Sequence, residues 1–371
     1  MSPEVRELLA LHLVPGLGPR LTAALLERFG SARAVLEATP QELSTVPHIG
    51  PRLAQQFYES MRRADVDAEL ERMARHRTEL LVLPTPPYPA SLASIPDPPQ
   101  LLYVRGRLAE RDAQAVAIVG SRHCTGYGVR VAERLAAGLA RAGYTIVSGL
   151  ARGIDAAAHR GALQANGRTL AVLAGGLSSI YPPEHEELSR AVEAAGALLT
   201  ESAMLMEPMA GMFPARNRII SGLARAVIIV EAAEKSGALI TAQHAAEQGR
   251  PVLAVPGSVE STASAGPNAL IRQGAVLCRG VDVVLEELRD LPLPVNPEPE
   301  AAPAEPAAAP PPGLDETQQR LWDLLAEGPR HADELSREVG VPVAQLTGVL
   351  LALEMKKAVR RLPGNRYERW R

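Results

Sequence analysis

The sequence predicts an α/β protein with a doubly wound, mostly parallel sheet, flanked in the chain by a small helical domain on each side. Between Ala115 and about Asp290, apolar runs rich in β-branched residues alternate with helical patterns. Several of these runs are continuously apolar, as strands buried on both faces are. The first two also end in glycine turns that lead into helices, which is the repeating unit of a parallel sheet.

Residues 115–163 show this strand–helix–strand unit most clearly. The first strand ends in Gly120 and the second in Gly149, with Arg122 and Arg152 in the turns that follow them. Both turns lie at the carboxyl edge of the predicted sheet, where ligands of such folds bind. Glycine also lets backbone amides and helix N-termini approach an anion closely. The unit therefore predicts a phosphate site at this edge.

Further apolar runs are predicted as strands of the same sheet. Including the two above, the runs begin at Leu101, Ala115, Tyr144, Thr169, Gly196, Ala226, Val252 and Ala275. The first of them, LLYVRG, is predicted as an edge strand before the main sheet. Residues 84–99, which precede it, are proline-rich and cannot continue a helix or a central strand. We predict that they form an ordered connector that wraps onto the sheet domain.

The N-terminal segment, residues 1–78, is predicted to be all helical. Its strings LVPGLGPR and TVPHIGPR each place a glycine–proline turn before an amphipathic helix, and they end in Arg20 and Arg52. Both resemble the helix-hairpin-helix motif, whose turn amides can hold a DNA phosphate. The second copy has His48 where the first has Gly16, which weakens it as a phosphate cradle. A SAM-like bundle that uses the turns only for packing stays equally open.

The C-terminal part divides into a linker and a small domain. Residues 291–313 are rich in proline, alanine and glutamate, so they are predicted to be extended. Residues 314–371 show three helical patterns and then a hairpin with a Pro-Gly-Asn tip, the pattern of a winged helix. From Met355 onward there are seven basic residues and one acid. Nucleic acid binding and a protein-interaction module with a basic edge are both open.

Composition limits the class of protein. The chain has 371 residues, 46% of them hydrophobic, and a formal charge of −3, which does not by itself indicate a nucleic-acid binder. Its two cysteines, Cys124 and Cys278, form neither a CxxC pair nor a disulfide framework. No basic-then-apolar leader and no apolar run of membrane-spanning length is present. We expect a cytoplasmic protein without a membrane partner, a metal or a cofactor.

Two more stretches of the central domain carry candidate binding residues. Phe213 precedes Arg216, Asn217 and Arg218 at the start of a helix, which suits base stacking beside phosphate contacts. The alternative is a core phenylalanine with one arginine in an ion pair. A second anion cradle is predicted at the mouth of the helix that follows the run beginning at Ala226, from Lys235, Ser236 and Gly237.

Other polar residues are interpreted as structural. Asp155 and His159 lie one helical turn apart, and we predict that Asp155 caps its helix while His159 packs locally. Glu201 and Glu231 end strands, and we predict that they anchor loops by accepting backbone hydrogen bonds. No serine lies in a GxSxG elbow, and no His/Cys metal spacing is present. No catalytic residue is therefore predicted.

Six strings in order over about residues 115–275 resemble the DNA-processing protein A family, DprA or Smf. They are AIVGSRHCTGYG, IVSGLARGIDAAAHRGAL, AVLAGGLSSIYPPEH, FPARNRIISGLARAVIIVEA, SGALITAQHAAEQGR, and AVPGS followed by GPNALIRQGA. The resemblance implies an extended Rossmann-like domain, residues 79–290, that dimerises and binds single-stranded DNA. It also implies a mediator that protects incoming strands and loads the RecA recombinase during natural transformation.

The residues that match the family's pattern are Ser121, Arg122, Arg152, Phe213 and the run from Arg216 to Arg218. Family members often carry lysine at the position of Arg152, and some relatives carry a basic residue at the position of Ala210. The first change alters hydrogen-bond geometry, and the second puts one strand contact in doubt. The predicted phosphate- and strand-binding set is Gly120, Ser121, Arg122, Gly149, Arg152, Phe213, Arg216, Asn217, Arg218, Lys235, Ser236 and Gly237.

A small-nucleotide enzyme is the alternative function, because related folds place a phosphate loop similarly. A nucleoside-monophosphate phosphoribohydrolase typically shows a PGGxGTxxE string with a catalytic glutamate. The nearest match here, SGALITAQHAAEQ, lacks the paired glycines and retains only Glu247 further on. The sequence therefore favours a non-catalytic binder of single strands.

Overall fold

The computed structural model describes residues 1–289, 291, 314–325, 330–356, 358–362 and 366–369. These residues belong to two compact units, Met1–Pro297 and Glu298–Arg371. No helix of the described ranges is long and apolar enough to cross a membrane.

The first unit begins with six helices, as predicted. They are α1 (Pro3–His12), α2 (Pro19–Phe29), α3 (Ala32–Glu37), α4 (Pro40–Leu43), α5 (Pro51–Met61) and α6 (Val66–Arg75). Gly16 has a φ of 81° and His48 a φ of 69°, so both glycine–proline turns adopt the same left-handed backbone. The histidine therefore keeps the turn geometry, in a conformation that is uncommon for a residue with a Cβ.

A sheet of nine strands follows. The strands are β1 (Thr78–Val82), β2 (Leu101–Gly106), β3 (Ala115–Gly120), β4 (Thr145–Ser148), β5 (Thr169–Val172), β6 (Ala197–Thr200), β7 (Ala226–Val230), β8 (Val252–Ala254) and β9 (Val276–Leu277). Their order is β1-β2-β6-β5-β4-β3-β7-β8-β9. The seven strands from β3 to β9 are parallel to one another, whereas β2 is antiparallel to both of its neighbours, β6 and β1. The doubly wound, mostly parallel sheet is confirmed.

At the edge of this sheet one prediction was wrong and one strand was missed. The LLYVRG run is not an edge strand, because β2 pairs with β6 on one side and with β1 on the other. The strand β1 was not predicted at all, since its TELLV run is only five residues long and directly follows a helical stretch. A run this short gives too few residues to establish a strand period.

Helices cover both faces of the sheet. They are α7 (Ala90–Ala93), α8 (Gly126–Arg141), α9 (Ile154–Gln164), α10 (Glu186–Ala195), α11 (Met212–Leu223), α12 (Gly237–Glu247), α13 (Ala265–Arg272) and α14 (Val281–Arg289). On β3, Val116 and Ile118 pack with α8 and α9, whereas Ala117 and Val119 pack in the opposite cluster, with α11 and α12. Burial on both faces explains why these strands are continuously apolar.

The proline-rich connector and the helical domain both pack against the sheet domain. Tyr88 and Leu92 of the connector are buried in the same cluster as α11, which confirms the prediction of an ordered connector. Leu9 of α1 packs in a cluster with Tyr103 of β2. The hydroxyl of Tyr103 donates a 3.1 Å hydrogen bond to Glu69 of α6. The helical and sheet domains therefore share buried apolar and polar contacts.

The second unit confirms a winged-helix fold. Its elements are α15 (Glu316–Leu324), β10 (Arg330–His331), α16 (Ala332–Val339), α17 (Val343–Met355), β11 (Val359–Leu362) and β12 (Arg366–Arg369). The strands form an antiparallel sheet in the order β10-β12-β11. Its core contains Trp322, Leu335, Leu350 and Tyr367. Apart from Leu291, the predicted linker lies outside the described residues, as does the Pro-Gly-Asn tip.

Candidate nucleic-acid interface

A small pocket lies at the carboxyl ends of β4 and β5. The turns after β3, β4 and β5 meet there with the start of α11, because parallel strands end at the same edge of a sheet. The residues that line it are Arg122, Gly149, Ala151, Arg152, Leu173, Ala174, Gly175, Ser179, Tyr181, Pro182, Pro208, Phe213 and Arg216. Five of the predicted site residues are therefore brought together.

An aromatic pair with a cation beside it forms one wall of this pocket. The exposed guanidinium of Arg122 lies 4.5 Å from the centroid of the Phe213 ring. The ring of Tyr181 also contacts Phe213, with 6.0 Å between centroids and a tilt of 55°. Phe213 is thus half-buried and held in place, while Tyr181 is exposed. The wall offers aromatic surface next to an exposed positive charge.

Arg152 lies at the rim and already has a partner. Its guanidinium forms an ion pair with Glu184, and both side chains are about half exposed. Hydrogen bonds to Glu184 and to the Tyr181 side chain raise the pKa of Arg152, and the same ion pair lowers the pKa of Glu184. An incoming anion must therefore compete with Glu184 for Arg152.

Arg216 forms the floor. It is buried, and its Nη1 donates to the carbonyl oxygen of Gly149 at 2.7 Å and to that of Val172. Burial lowers the pKa of Arg216 to about 10, and the nearby carboxylate of Asp155 opposes that shift. A Cβ on Gly149 would lie 2.5 Å from the guanidinium, so glycine is needed there. Arg216 joins two strand ends and places a positive charge beneath the pocket.

The next two residues of α11 point elsewhere, because successive helical side chains are about 100° apart. Asn217 donates to the carbonyl oxygen of Gly237 at 3.1 Å. Arg218 is buried and pairs with Glu201 at 2.8 Å and Asp97 at 3.3 Å. The direct strand contacts of Asn217 and Arg218 stay a prediction. The two side chains hold neighbouring elements in place.

The glycine turn after β3 is already occupied by an anion of the protein itself. The carboxylate of Glu231 accepts hydrogen bonds from Thr125 N at 2.8 Å and from Thr125 Oγ1 at 2.6 Å. A Cβ on Gly128 would lie 2.4 Å from a Glu231 oxygen, so the carboxylate closes over the start of α8. Glu231 anchors this loop, as predicted. The place where a phosphate would meet the helix N-terminus is therefore filled.

Gly120 and Ser121 belong to this filled turn and do not line the pocket. Ser121 Oγ accepts a 3.1 Å hydrogen bond from His123 N, and a Cβ on Gly120 would lie 1.9 Å from the Val230 carbonyl oxygen. Both residues shape the turn that carries Arg122. Their predicted contact with a phosphate stays a prediction.

The second predicted cradle is separate from the pocket. Ser236 Oγ accepts a 3.3 Å hydrogen bond from Ala238 N and caps α12, while Lys235 and Gly237 are exposed. These residues follow β7, which lies on the opposite side of β3 from β4 and β5. The sheet order therefore keeps Lys235, Ser236 and Gly237 out of the pocket lining.

The remaining polar predictions have mixed outcomes. His159 packs locally as predicted, with Nδ1 2.7 Å from Thr169 Oγ1, and burial lowers its pKa to about 3. Asp155 does not cap α9, because Gly153 occupies the cap position; its carboxylate accepts a 3.1 Å hydrogen bond from Gly149 N instead. The carboxylate of Glu201 pairs with the Arg218 guanidinium instead of the predicted backbone amide.

Tyr181 and Glu184 were not predicted as site residues. Both lie in the string AVLAGGLSSIYPPEH, which follows a predicted strand just as the two arginine turns do. The position of an aromatic and an acid after a third strand end was the available signal. Their contacts with Phe213 and Arg152 are set by the order of strands, which the string alone does not reveal.

The fold and pocket define a class of protein. Its sheet domain carries a pocket with arginines and an aromatic wall, and this domain is preceded in the chain by helical hairpins and followed by a winged helix. The family described as "DNA recombination-mediator protein A" matches residues 79–289, "DprA winged helix domain" matches 305–365, and "SAM-like Helix-hairpin-helix tandem" matches 5–63. The chain belongs to the DNA recombination-mediator protein A family, whose members are called DprA or Smf.

Individual relatives and solved structures support this family membership. "Protein Smf" of Synechocystis sp. is 34% identical over 388 residues, which cover 97% of this chain and 98% of the relative. The X-ray structure of DNA processing protein A from Streptococcus pneumoniae superposes with a TM-score of 0.68 at 36% identity, over 77% of this chain and 99% of that one. A structure of DNA processing protein A from Helicobacter pylori, described for its single-stranded DNA binding mode, gives a TM-score of 0.51 at 30% identity, over 57% and 96%.

Proposed function

We propose that this chain binds single-stranded DNA through the pocket and acts as a recombination mediator. The observation that carries the proposal is the placement of Arg122 against Phe213, above the buried charge of Arg216. A base stacks on an aromatic face whatever its sequence, and arginines beside it hold the backbone phosphates. The family description and the single-stranded DNA binding of the Helicobacter pylori relative support the same ligand.

Each pocket residue has a distinct part in this proposal. Phe213 and Tyr181 receive a base, Arg122 and Arg152 contact phosphates, and Arg216 stays beneath them as a fixed positive charge. Arg216 is too buried and too firmly hydrogen-bonded to move toward a strand. Its field nevertheless favours an anion above it, because charges interact strongly where water is scarce.

A nucleotide-hydrolysing enzyme is the second candidate, and the geometry disfavours it. The phosphate position at the start of α8, where related folds hold a nucleotide, is filled by the carboxylate of Glu231. Among the described residues that line the pocket there is no carboxylate, and the carboxylate at its rim, Glu184, is held in an ion pair with Arg152. We therefore assign no catalytic step to this site.

Partners are part of the proposed function. A mediator must pass its strand on, so we propose that the protein protects incoming strands in the cytoplasm and loads RecA onto them during natural transformation. We also propose a homodimer through the last part of the sheet domain, where β9 is the final strand and Leu277 is exposed. Two pockets joined in this way bind one strand with raised avidity. The proposed domain boundaries are 1–78, 79–290, 291–313 and 314–371.

Equilibrium binding tests the proposal. Fluorescence anisotropy with a labelled oligothymidylate is expected to show binding that Arg122→Ala and Phe213→Ala weaken, while Lys235→Ala, outside the pocket, leaves it unchanged. RecA filament assembly on strands coated with single-strand-binding protein is expected to accelerate when the protein is added. Binding that survives both pocket changes, or nucleotide hydrolysis without strand binding, would refute it.

A further inference from the structure

The loop between β6 and α11 exposes an unusual amount of apolar surface. Four of the chain's eight methionines lie between Met204 and Met212. Leu205, Met206 and Met209 are 60%, 41% and 61% exposed. Single exposed apolar residues are ordinary, but several in one short loop usually mark a binding surface. We call residues 204–212 the methionine loop.

The methionine loop separates the pocket at the ends of β4 and β5 from a second cavity. Pro208 lines the pocket, whereas Met206, Met209 and Met212 line a wider groove. The far wall of that groove is the helical domain, with the first glycine–proline turn and the end of α1. Residues that line both cavities are Leu173, Ala174 and Arg216. The pocket and the groove are therefore neighbours along one surface.

The backbone of the loop is held in place while its side chains project. Met204 N donates a 2.7 Å hydrogen bond to Glu69 of the helical domain. The carbonyl oxygens of Met204 and Met206 accept hydrogen bonds from Ser178 N at 3.0 Å and Gly176 N at 2.8 Å. A fixed backbone with flexible thioether side chains can fit flat rings of different size without reading their edges.

The opposite end of the groove carries the features of a backbone contact. Gly16 and Gly18 are exposed in the first glycine–proline turn, and a Cβ on Gly18 would meet nothing within 4 Å. Both glycines also line an adjoining cavity that includes Arg20, whose side chain is 83% exposed and lies 3.7 Å from Asp97. The carboxylates of Asp97 and Glu201 also lie at this end, and both are paired with the buried Arg218. Arg20 is therefore the exposed cation at this end of the apolar stretch, and the two arginines of the pocket lie at the other end.

We propose that single-stranded DNA continues from the pocket across the methionine loop into this groove. Bases lie against Met206, Met209 and Met212, and the backbone reaches the turn at Gly16 and Arg20. The alternation of cations, apolar surface and cations matches a chain of phosphates and bases better than an apolar helix. The inference rests on the proposed strand binding in the pocket, which it lengthens into a track across the two N-terminal domains.

Oligonucleotide length separates the two sites. Oligothymidylates of about 4 to about 16 nucleotides, a range typical of single-strand sites, are titrated against the full chain. We expect Met209→Ala to leave the shortest strands unaffected and to weaken the longest about two- to tenfold, the range of sulfur–ring contacts. Leu205→Ala is the matched control, because Leu205 has nearly the same exposure on the same loop but lines neither cavity. It is expected to change nothing.

Failure of the track and failure of the pocket are distinguishable. Met209→Ala that equals wild type at every length, or that weakens short and long strands alike, overturns the track. So does a Leu205→Ala loss as large as that of Met209→Ala. Loss of binding at every length in Phe213→Ala shows that the pocket is used, whatever Met209→Ala does. A wild-type chain that binds no strand overturns both proposals, and matched melting temperatures confirm that the variants are folded.

Discussion

In the proposed site Glu184 competes with DNA for Arg152, and removing its charge is expected to tighten strand binding. In the free protein the Arg152 guanidinium is held by Glu184 at the rim of the pocket. A phosphate that uses Arg152 must break this pair and then lie near the released carboxylate. Glu184→Gln removes both the competition and the repulsion, while leaving a side chain of the same shape.

The size of the effect follows from exposure. The side chains of Arg152 and Glu184 are 47% and 49% exposed, so water and salt screen their attraction strongly. Exposed pairs of this kind contribute little, and we expect Glu184→Gln to tighten binding only about two- to fivefold. The gain is expected to shrink as salt is added, because the interaction that is removed is electrostatic.

Anisotropy titrations across a series of KCl concentrations measure this gain. Glu187→Gln is the control, because the change in charge is identical and Glu187 is exposed in the first turn of α10, three residues after Glu184. The double variant Arg152→Ala/Glu184→Gln is expected to bind no more tightly than Arg152→Ala, because the arginine for which Glu184 competes has been removed. Equal tightening by Glu187→Gln would show a general charge effect, and no tightening by Glu184→Gln would refute the competition.

The remaining predictions concern three single side chains and the linker. Arg122→Ala is expected to weaken binding and to make the log–log salt slope shallower by about 0.7, one phosphate contact on a single strand; an unchanged slope would count against that contact. Phe213→Ala is expected to weaken binding by roughly 1–3 kcal/mol with a nearly unchanged melting temperature, whereas a large fall in melting temperature with intact binding would place Phe213 in the core. The pKa of His159 is lowered from 6.5 to about 3 by burial, so its neutral form stabilises the fold above pH 6.5 and that contribution is lost as the pH falls toward 3. Urea unfolding between pH 7 and 4 is expected to show this loss: the free energy of unfolding falls by up to about 1.4 kcal/mol per pH unit because of this residue. A His159→Gln variant whose free energy of unfolding falls equally steeply with pH would contradict the prediction. Limited proteolysis is expected to cut first within residues 291–313 and to release a C-terminal fragment of about sixty residues, and earlier cleavage of the sheet domain would contradict the proposed linker.

Local sequence was sufficient to predict which turns meet. Arg122, Arg152 and Phe213 are far apart in the chain, yet they line one pocket because each follows or faces the carboxyl end of a parallel strand. That rule depends only on strand and helix order, which the apolar runs reveal. The convergence of the arginine turns was therefore predictable from the sequence.

The partners of each charge were not predictable in the same way. Glu231 fills the turn at Thr125 although 106 residues separate them, and Glu184 reaches Arg152 from 32 residues away. Such pairs depend on strand order and side-chain direction rather than on a local pattern. The same holds for the choice between the first and second arginine of α11, since a small error in helix phase decides which of them faces the pocket.

Glu69 is an example of a contact between domains that could not be predicted from the sequence. A glutamate on an amphipathic helix is normally exposed, but Glu69 is buried and accepts hydrogen bonds from Tyr103 and Met204. Only the packing of the helical domain on β2 brings it to those partners. The sequence indicated two separate domains, and the contact between them that holds the methionine loop became visible only in the fold.

Hydrogen–deuterium exchange with and without an oligothymidylate tests strand binding in the pocket most directly. Exchange is expected to slow on binding in the turn at residues 149–152 and in the segment 173–182, which line the pocket. No change is expected at residues 233–238, the cradle on the other side of β3. Slower exchange confined to residues 233–238, with none around the pocket, would contradict the proposed site.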